Sequence, residues 1–99
     1  MIRGTTPRLE FTLPFETSLL AEVWITLSQD KEAILDKTLK DCKCEGNTLV
    51  LKLSQEETLK FEQNSRIEMQ LRVRTLNGDA LASGIISDKA ERILKEGVI

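Results

Sequence analysis

The chain has 99 residues, with 14 Lys and Arg against 16 Asp and Glu, no histidine, two cysteines and one tryptophan. This length predicts a single domain over residues 1–99, and 40% hydrophobic residues is typical of a globular protein rather than a disordered one. A net charge of −2 gives no basic surface for nucleic acid or a membrane, and the missing histidine removes the commonest acid–base group and metal ligand.

Alternation of apolar and polar residues predicts the first two strands. Leu9 to Leu13 has an apolar residue at every second position, and Pro14 ends the run. The second strand spans Ala21 to Leu27. Its predicted inward side chains are Ala21, Val23, Ile25 and Leu27. This assignment places Trp24 on the other face, and the alternative is that a terminal segment covers that face.

A turn at residues 29–31 leads into a weaker strand over residues 33–39, followed by a segment that contains Cys42 and Cys44. Residues 45–47 then form a tight turn. The run from Thr48 to Leu53 predicts a fourth clear strand that buries alternate leucines. Those leucines are Leu49, Leu51 and Leu53.

Two cysteines in Cys42-Lys43-Cys44 share one face of an extended strand, with Cα atoms roughly 6.5–7 Å apart. That separation and the parallel side chains disfavour a disulfide, so we expect two buried free thiols. Zinc requires four ligands, and two cysteines without histidine do not supply them within one chain. A thiol-dependent sensor is the alternative, and it predicts rapid alkylation of the native protein.

Ser54 and Glu57 form a capping box, in which each side chain bonds the other residue's backbone amide. The polar residues 63–65 follow closely, so we predict only one or two helical turns near residues 54–60. Such a short helix depends on tertiary packing, and we expect Leu59 and Phe61 to supply it.

The strongest pattern is the alternation that begins at Arg66 and leads to Asn77-Gly78. Asn-Gly predicts a two-residue type I′ hairpin turn, which requires positive φ at both positions. The partners predicted from that turn are Thr75–Ala80, Arg74–Leu81, Val73–Ala82, Arg72–Ser83, Leu71–Gly84 and Met69–Ile86. The core side then pairs large residues with small ones, and the outer face carries Arg72, Arg74 and Leu81.

Residues 87–95 are highly charged and fit either a final edge strand or a short helix; we favour the strand. Six or seven short strands with a single short helix predict an all-β fold, an antiparallel sandwich of immunoglobulin-like architecture.

Several segments together resemble a known family. They are Ile2–Pro7, Leu9–Phe11, Glu22–Leu27, Gly46–Leu49, Leu53–Thr58 and Gln70–Ala82. In this order they resemble small phage or prophage proteins of gut Firmicutes and the Ig-like N-terminal domain of phage baseplate upper proteins. The resemblance covers nearly the whole chain, but the charged stretch Ser87–Arg92 departs from the apolar last strand expected there.

The resemblance implies a non-enzymatic structural or assembly protein of the phage tail or baseplate, which binds other tail proteins or itself. The residues agree with this because no nucleophile–base pair, phosphate loop or cofactor motif is present. The adjacent carboxylates of Glu56 and Glu57 do not indicate a catalytic pair, because negative charge is favourable at a helix N-terminus. We therefore expect no catalytic, cofactor or metal site.

The candidate partner interface comprises Trp24, Arg72, Arg74 and Leu81, since an outward tryptophan is a typical interface anchor. A solvated face with no partner is the alternative for the arginines. The alternative function is a small carbohydrate- or surface-binding module that stacks its ligand on Trp24. The sequence has neither a signal peptide nor a membrane-spanning run. The resemblance implies the bacterial cytoplasm during assembly, or the virion.

Overall fold

A computed structural model describes all residues from 1 to 99. The eight strands are β1 (Arg8–Thr12), β2 (Leu20–Gln29), β3 (Glu32–Thr38), β4 (Cys42–Glu45), β5 (Thr48–Lys52), β6 (Arg66–Thr75), β7 (Ala80–Ala82) and β8 (Ile86–Lys89). The α-helix α1 spans Gln55–Thr58, and short 3₁₀ helices span Thr17–Leu19 and Leu39–Asp41. The predicted all-β antiparallel sandwich with one helical turn near residues 54–60 is confirmed, with eight strands instead of six or seven.

Two antiparallel sheets build the sandwich. One has the order β1-β5-β4, and the other has the order β3-β2-β6-β7, with β8 pairing β6 beyond the end of β7. The two ten-residue strands β2 and β6 lie side by side at the centre of the larger sheet. Their inward side chains meet those of β5 in one core. That core includes Val23, Ile25, Leu27, Leu49, Leu51, Leu53, Phe61, Ile67 and Leu71.

The predicted inward face of β2 is confirmed at three of its four positions. Val23, Ile25 and Leu27 are buried, whereas Ala21 is only half-buried. The β2–β6 register shifts between Leu20 and Glu22, so Leu20 lies opposite Thr75 and is the buried residue at this end. A β-bulge of this kind re-aims the side chains beyond it, and alternation alone does not locate it.

The capping box at the start of α1 is confirmed in both directions. The Glu57 amide donates to Ser54 Oγ at 3.1 Å, and the Ser54 amide donates to Glu57 Oε1 at 2.9 Å. Glu57 also forms an ion pair with Lys37 of β3. Phe61 is buried as predicted, but Leu59 is only half-buried. The helix thus joins the β5–β6 connection to the larger sheet.

Burial raises the pKa of Glu57, but hydrogen bonds from Lys37 and the Ser54 backbone, together with the Lys37 charge, outweigh it and leave the pKa lowered. A carboxyl with a lowered folded-state pKa stabilises the fold above its ordinary value of 4.5. That stabilisation is lost as the pH falls through the folded-state value.

We therefore predict that Glu57→Gln lowers the free energy of unfolding at pH 7 and reduces its decline between pH 7 and strongly acidic pH. Urea titrations across that range measure both effects. Glu56→Gln is the matched control because Glu56 is adjacent, exposed and forms no ion pair. Equal acid sensitivity of the two variants would contradict the prediction.

The hairpin at Asn77-Gly78 is present, but its predicted register is wrong by one residue. Arg74 pairs with Ala80, Val73 with Leu81 and Arg72 with Ala82. Only Gly78 has a positive φ, at 90°, so the two-residue type I′ turn cannot form. The Gly78 amide instead donates to the Thr75 carbonyl, and the Thr75 amide donates to the Asp79 carbonyl. This is a three-residue loop with glycine in the left-handed position.

Further along β6 the predicted register is correct, since Met69 lies opposite Ile86 of β8. The one-residue difference is compensated by an additional residue in the connection between β7 and β8. The type I′ conformation occurs elsewhere, at Asp30-Lys31, where φ is 49° and 65° and the loop joins β2 to β3.

This loop geometry predicts different sensitivities for its two central residues. Gly78→Ala places a side chain at a φ of 90° and should lower the free energy of unfolding by about 1–2 kcal/mol. Asn77→Ala should cost less than about 0.5 kcal/mol, since Asn77 is exposed and has no positive φ. Thermal unfolding of the two variants measures both values. A larger cost at Asn77 would favour the two-residue turn.

The charged C-terminal stretch contributes only the four-residue strand β8, and residues 90–99 form neither a longer strand nor a helix. The preference for a strand over residues 87–95 is therefore correct only for its beginning. Ala90 is buried and exchanges backbone hydrogen bonds with Asn64 and Ser65. Beyond it, the Glu91 backbone bonds to Met1 and Arg3, which closes this end of the sandwich.

Candidate protein interface

Trp24 lies near the middle of β2 on the outer face of the larger sheet, and 43% of its surface is exposed. No terminal segment covers it. Its indole Nε1 donates a hydrogen bond to Glu22 Oε2 at 2.8 Å, so this donor is satisfied within the chain. The ring therefore presents apolar area while its polar group is already paired, as suits an interface anchor.

The predicted arginines lie beside Trp24. Arg72 is directly opposite Trp24 on β6, and Arg74 is directly opposite Glu22. Arg74 Nη2 lies 3.5 Å from Glu22 Oε1, whereas Arg72 forms no ion pair within the chain. These side chains surround a shallow depression of about 220 Å³.

The hydrogen bond from Trp24, followed by that from Arg74, lowers the pKa of Glu22 below its usual value of 4.5. Glu22 lies on the exposed face, so this arrangement orders the surface more than it stabilises the fold. At neutral pH the cluster holds one carboxylate and two guanidinium groups and carries a net positive charge.

Leu81 is not on this outer face, and its predicted position is wrong. Because β7 is shifted by one residue, Leu81 lies opposite Val73 and shares the inward-facing side of the sheet. It is nevertheless 47% exposed, because β7 lies at the edge of the sheet, where the smaller sheet does not cover it. The residues beside Arg72 and Arg74 on β7 are the small side chains Ala82 and Ala80.

Leu81 instead lines an apolar groove, which was not predicted from the sequence. Two adjoining depressions of about 350 and 260 Å³ meet at Leu81 and Phe15. The apolar side chains of this groove include Leu13, Pro14, Phe15, Leu19, Leu76 and Leu81. Its sequence signal was weak, because Phe15, Leu19 and Leu76 lie in connections and belong to no alternating strand.

Three exposed leucines line this groove. Leu19, Leu76 and Leu81 are 47%, 66% and 47% exposed, and all three line the groove. Contiguous exposed apolar surface of this kind marks interaction sites in folded proteins. The candidate interface therefore has two parts: the outer face around Trp24, and the groove on the other side of β7.

The expectation of two buried thiols is wrong. Cys42 is half-buried against the core, whereas Cys44 is exposed, and both are free. Both lie on β4 opposite core leucines of β5, but β4 is an edge strand, and the core does not extend beneath Cys44. Burial, followed by the nearby Asp41 and Cys44, raises the pKa of Cys42 from 9.0 to about 11.

This environment predicts unequal thiol reactivity. Raising the pKa from 9.0 to about 11 reduces the thiolate fraction at pH 8 by about 100-fold, so Cys42 should resist alkylation in the native protein. Cys44 should be modified first, as peptide mass spectrometry after timed iodoacetamide treatment would show. Cys42→Ser and Cys44→Ser each isolate one thiol. Rapid native labelling of the Cys44→Ser variant would restore the sensor hypothesis.

Comparison with protein families, curated proteins and solved structures gives no significant match to this chain. No three His, Cys, Asp or Glu side chains come together in an arrangement suited to a metal ion. The longest helix has four residues, so no helix of this chain has the length and apolar character needed to cross a membrane.

Proposed function

We propose that this chain is a structural or assembly protein of a phage or prophage, a tail or baseplate component that acts through protein–protein contacts. The observation that carries the proposal is the exposed apolar groove along β7, beside the ordered face that contains Trp24. Stable protein interfaces combine an apolar core, aromatic or arginine anchors and a polar rim, and this region provides each of them.

The strand order supports the immunoglobulin-like part of the proposal. An immunoglobulin sandwich has strands A-B-E-D in one sheet and C-F-G in the other, with C′ added beside C in variable domains. The order β1-β5-β4 corresponds to B-E-D, and β3-β2-β6-β7 corresponds to C′-C-F-G. In this correspondence the chain has no strand in the position of A.

The buried polar groups of the protein have structural roles. The buried polar side chains are Gln29, Thr58 and Thr75, and none of them is ionisable. Gln29 bonds both the amide and the carbonyl of Glu62, and Thr58 donates to the Thr5 carbonyl. Each of these contacts joins a strand or helix to a neighbouring segment, which is a structural role.

The test is reconstitution with the tail and baseplate proteins of the same phage genome. Light scattering after size-exclusion chromatography should show a complex with at least one of them, or a homo-oligomer. Trp24→Ala should weaken that association by roughly ten-fold or more, the size typical of an interface anchor. Arg66→Gln is the control, because Arg66 is exposed at the far end of β6. A strict monomer that binds none of these proteins would overturn the proposal.

A small carbohydrate-binding module is the second candidate. The shallow depression beside Trp24, lined by Glu22, Arg72 and Arg74, favours it because an indole face flanked by polar groups is suited to a sugar ring. A glycan array with the parent protein and Trp24→Ala tests this candidate. Glycan binding that depends on Trp24 would support it, and the absence of any bound glycan would dismiss it.

A further inference from the structure

We infer that the free edge of β7 accepts an extended segment of a partner protein in which apolar and acidic side chains alternate. The inference deepens the proposed function, on which it rests, by naming the chemistry of the partner. It depends on three features of β7: its main-chain groups, the groove on its inner side and the arginines on its outer side.

The main chain of β7 has hydrogen-bonding groups directed away from the sheet. The Asp79 carbonyl accepts from Thr75, and the Ser83 amide donates to the Leu71 carbonyl, so these residues direct their groups toward β6. In an antiparallel strand, successive residues direct their N–H and C=O groups alternately toward one neighbouring strand and toward the other side. Ala80 and Ala82 therefore direct their N–H and C=O groups outward, where no strand follows β7. An added strand would pair with them.

The inner side of such a strand would lie over the groove that contains Phe15, Leu19 and Leu81. Every second side chain of the partner would point into it, because strand side chains alternate between faces. The lining is apolar except for polar groups near its ends, and its one ionisable side chain is Asp79. Apolar partner side chains fit this lining, and acidic ones would be repelled at Asp79.

The outer side of the added strand would lie beyond Ala80 and Ala82, whose side chains are too small to shield Arg74 and Arg72 opposite them. The new strand would be two strand spacings from β6, about 9.5 Å, which an arginine and a glutamate can bridge together. Arg72 forms no ion pair in the chain, so an acidic side chain on the added strand would be available to pair with it. Pairing β7 with a second copy would place that copy's Ala80 and Ala82 beside these arginines, and neither is acidic.

The probe is a synthetic heptapeptide, Thr-Leu-Glu-Leu-Glu-Leu-Thr, with a matched peptide that carries lysine at both glutamate positions. Trp24 is the only tryptophan and lies opposite Arg72, so its emission reports changes around Arg72 when the peptide binds. We expect saturable binding of the acidic peptide, weaker binding of the lysine peptide, and slower hydrogen exchange at the Ala80 and Ala82 amides in the complex.

Two variants separate the main-chain and charge contributions. Ala82→Pro removes an outward-directed N–H without removing a β6–β7 hydrogen bond, and should weaken the acidic peptide about ten-fold. Arg72→Glu should weaken the acidic peptide about two- to five-fold and strengthen the lysine peptide, which also shows that the variant is folded. Arg66→Glu, at the far end of the same strand, should change neither.

Equal binding of the two peptides, no change in exchange at Ala80 and Ala82, or full binding by Ala82→Pro would each overturn the inference. Its failure is distinguishable from failure of the proposed function. If Ala82→Pro still assembles with a tail protein, the function stands and the strand-addition site is wrong. If the acidic peptide binds as expected but no tail protein does, the site stands and the proposed function is wrong.

Discussion

The register between β2 and β6 governs both surfaces of the larger sheet. With Val23 opposite Val73 and Ile25 opposite Leu71, the two central strands direct apolar rows into the core. The same register places Trp24 opposite Arg72 on the outer face. A slip of one residue would exchange the faces and expose the apolar rows, so the burial of the core specifies the surface cluster as well.

The parts of the fold that were predicted correctly depend on local patterns. Alternation identified the long strands because each has one buried face, and the Ser54–Glu57 pair identified a helix start whose partners are three residues apart. The outward position of Trp24 followed from the same alternation. These features are specified within a few residues and do not depend on how the sheets meet.

The errors have a common physical origin in contacts between segments. A two-residue and a three-residue loop are both compatible with Asn77-Gly78, and tertiary pairing selected the latter, which moved Leu81 to the other face. Cys44 lies on the face expected for the core but beyond its edge, because β4 is the last strand of its sheet. The groove at Phe15 could not be predicted without knowing the strand order of each sheet and which edge strand the other sheet leaves uncovered.

The core contains no ionisable side chain, and the charged groups with perturbed pKa values form local pairs at the periphery. The Trp24–Glu22–Arg74 contacts order the outer face before any partner arrives. A surface that is ordered in advance loses less conformational entropy on association, so a modest area can provide useful affinity. The sequence contains no histidine, the side chain whose charge ordinarily changes between pH 6 and 8.

The interruption between β7 and β8 has a consequence for self-association. An exposed edge invites copies of the same chain to join strand by strand into fibres, and the hazard grows with the length of uninterrupted edge. Here β7 offers three residues before the additional residue between Ser83 and Ile86 breaks the register. The edge is therefore long enough to hold a short foreign segment and too short to template a growing stack of its own kind.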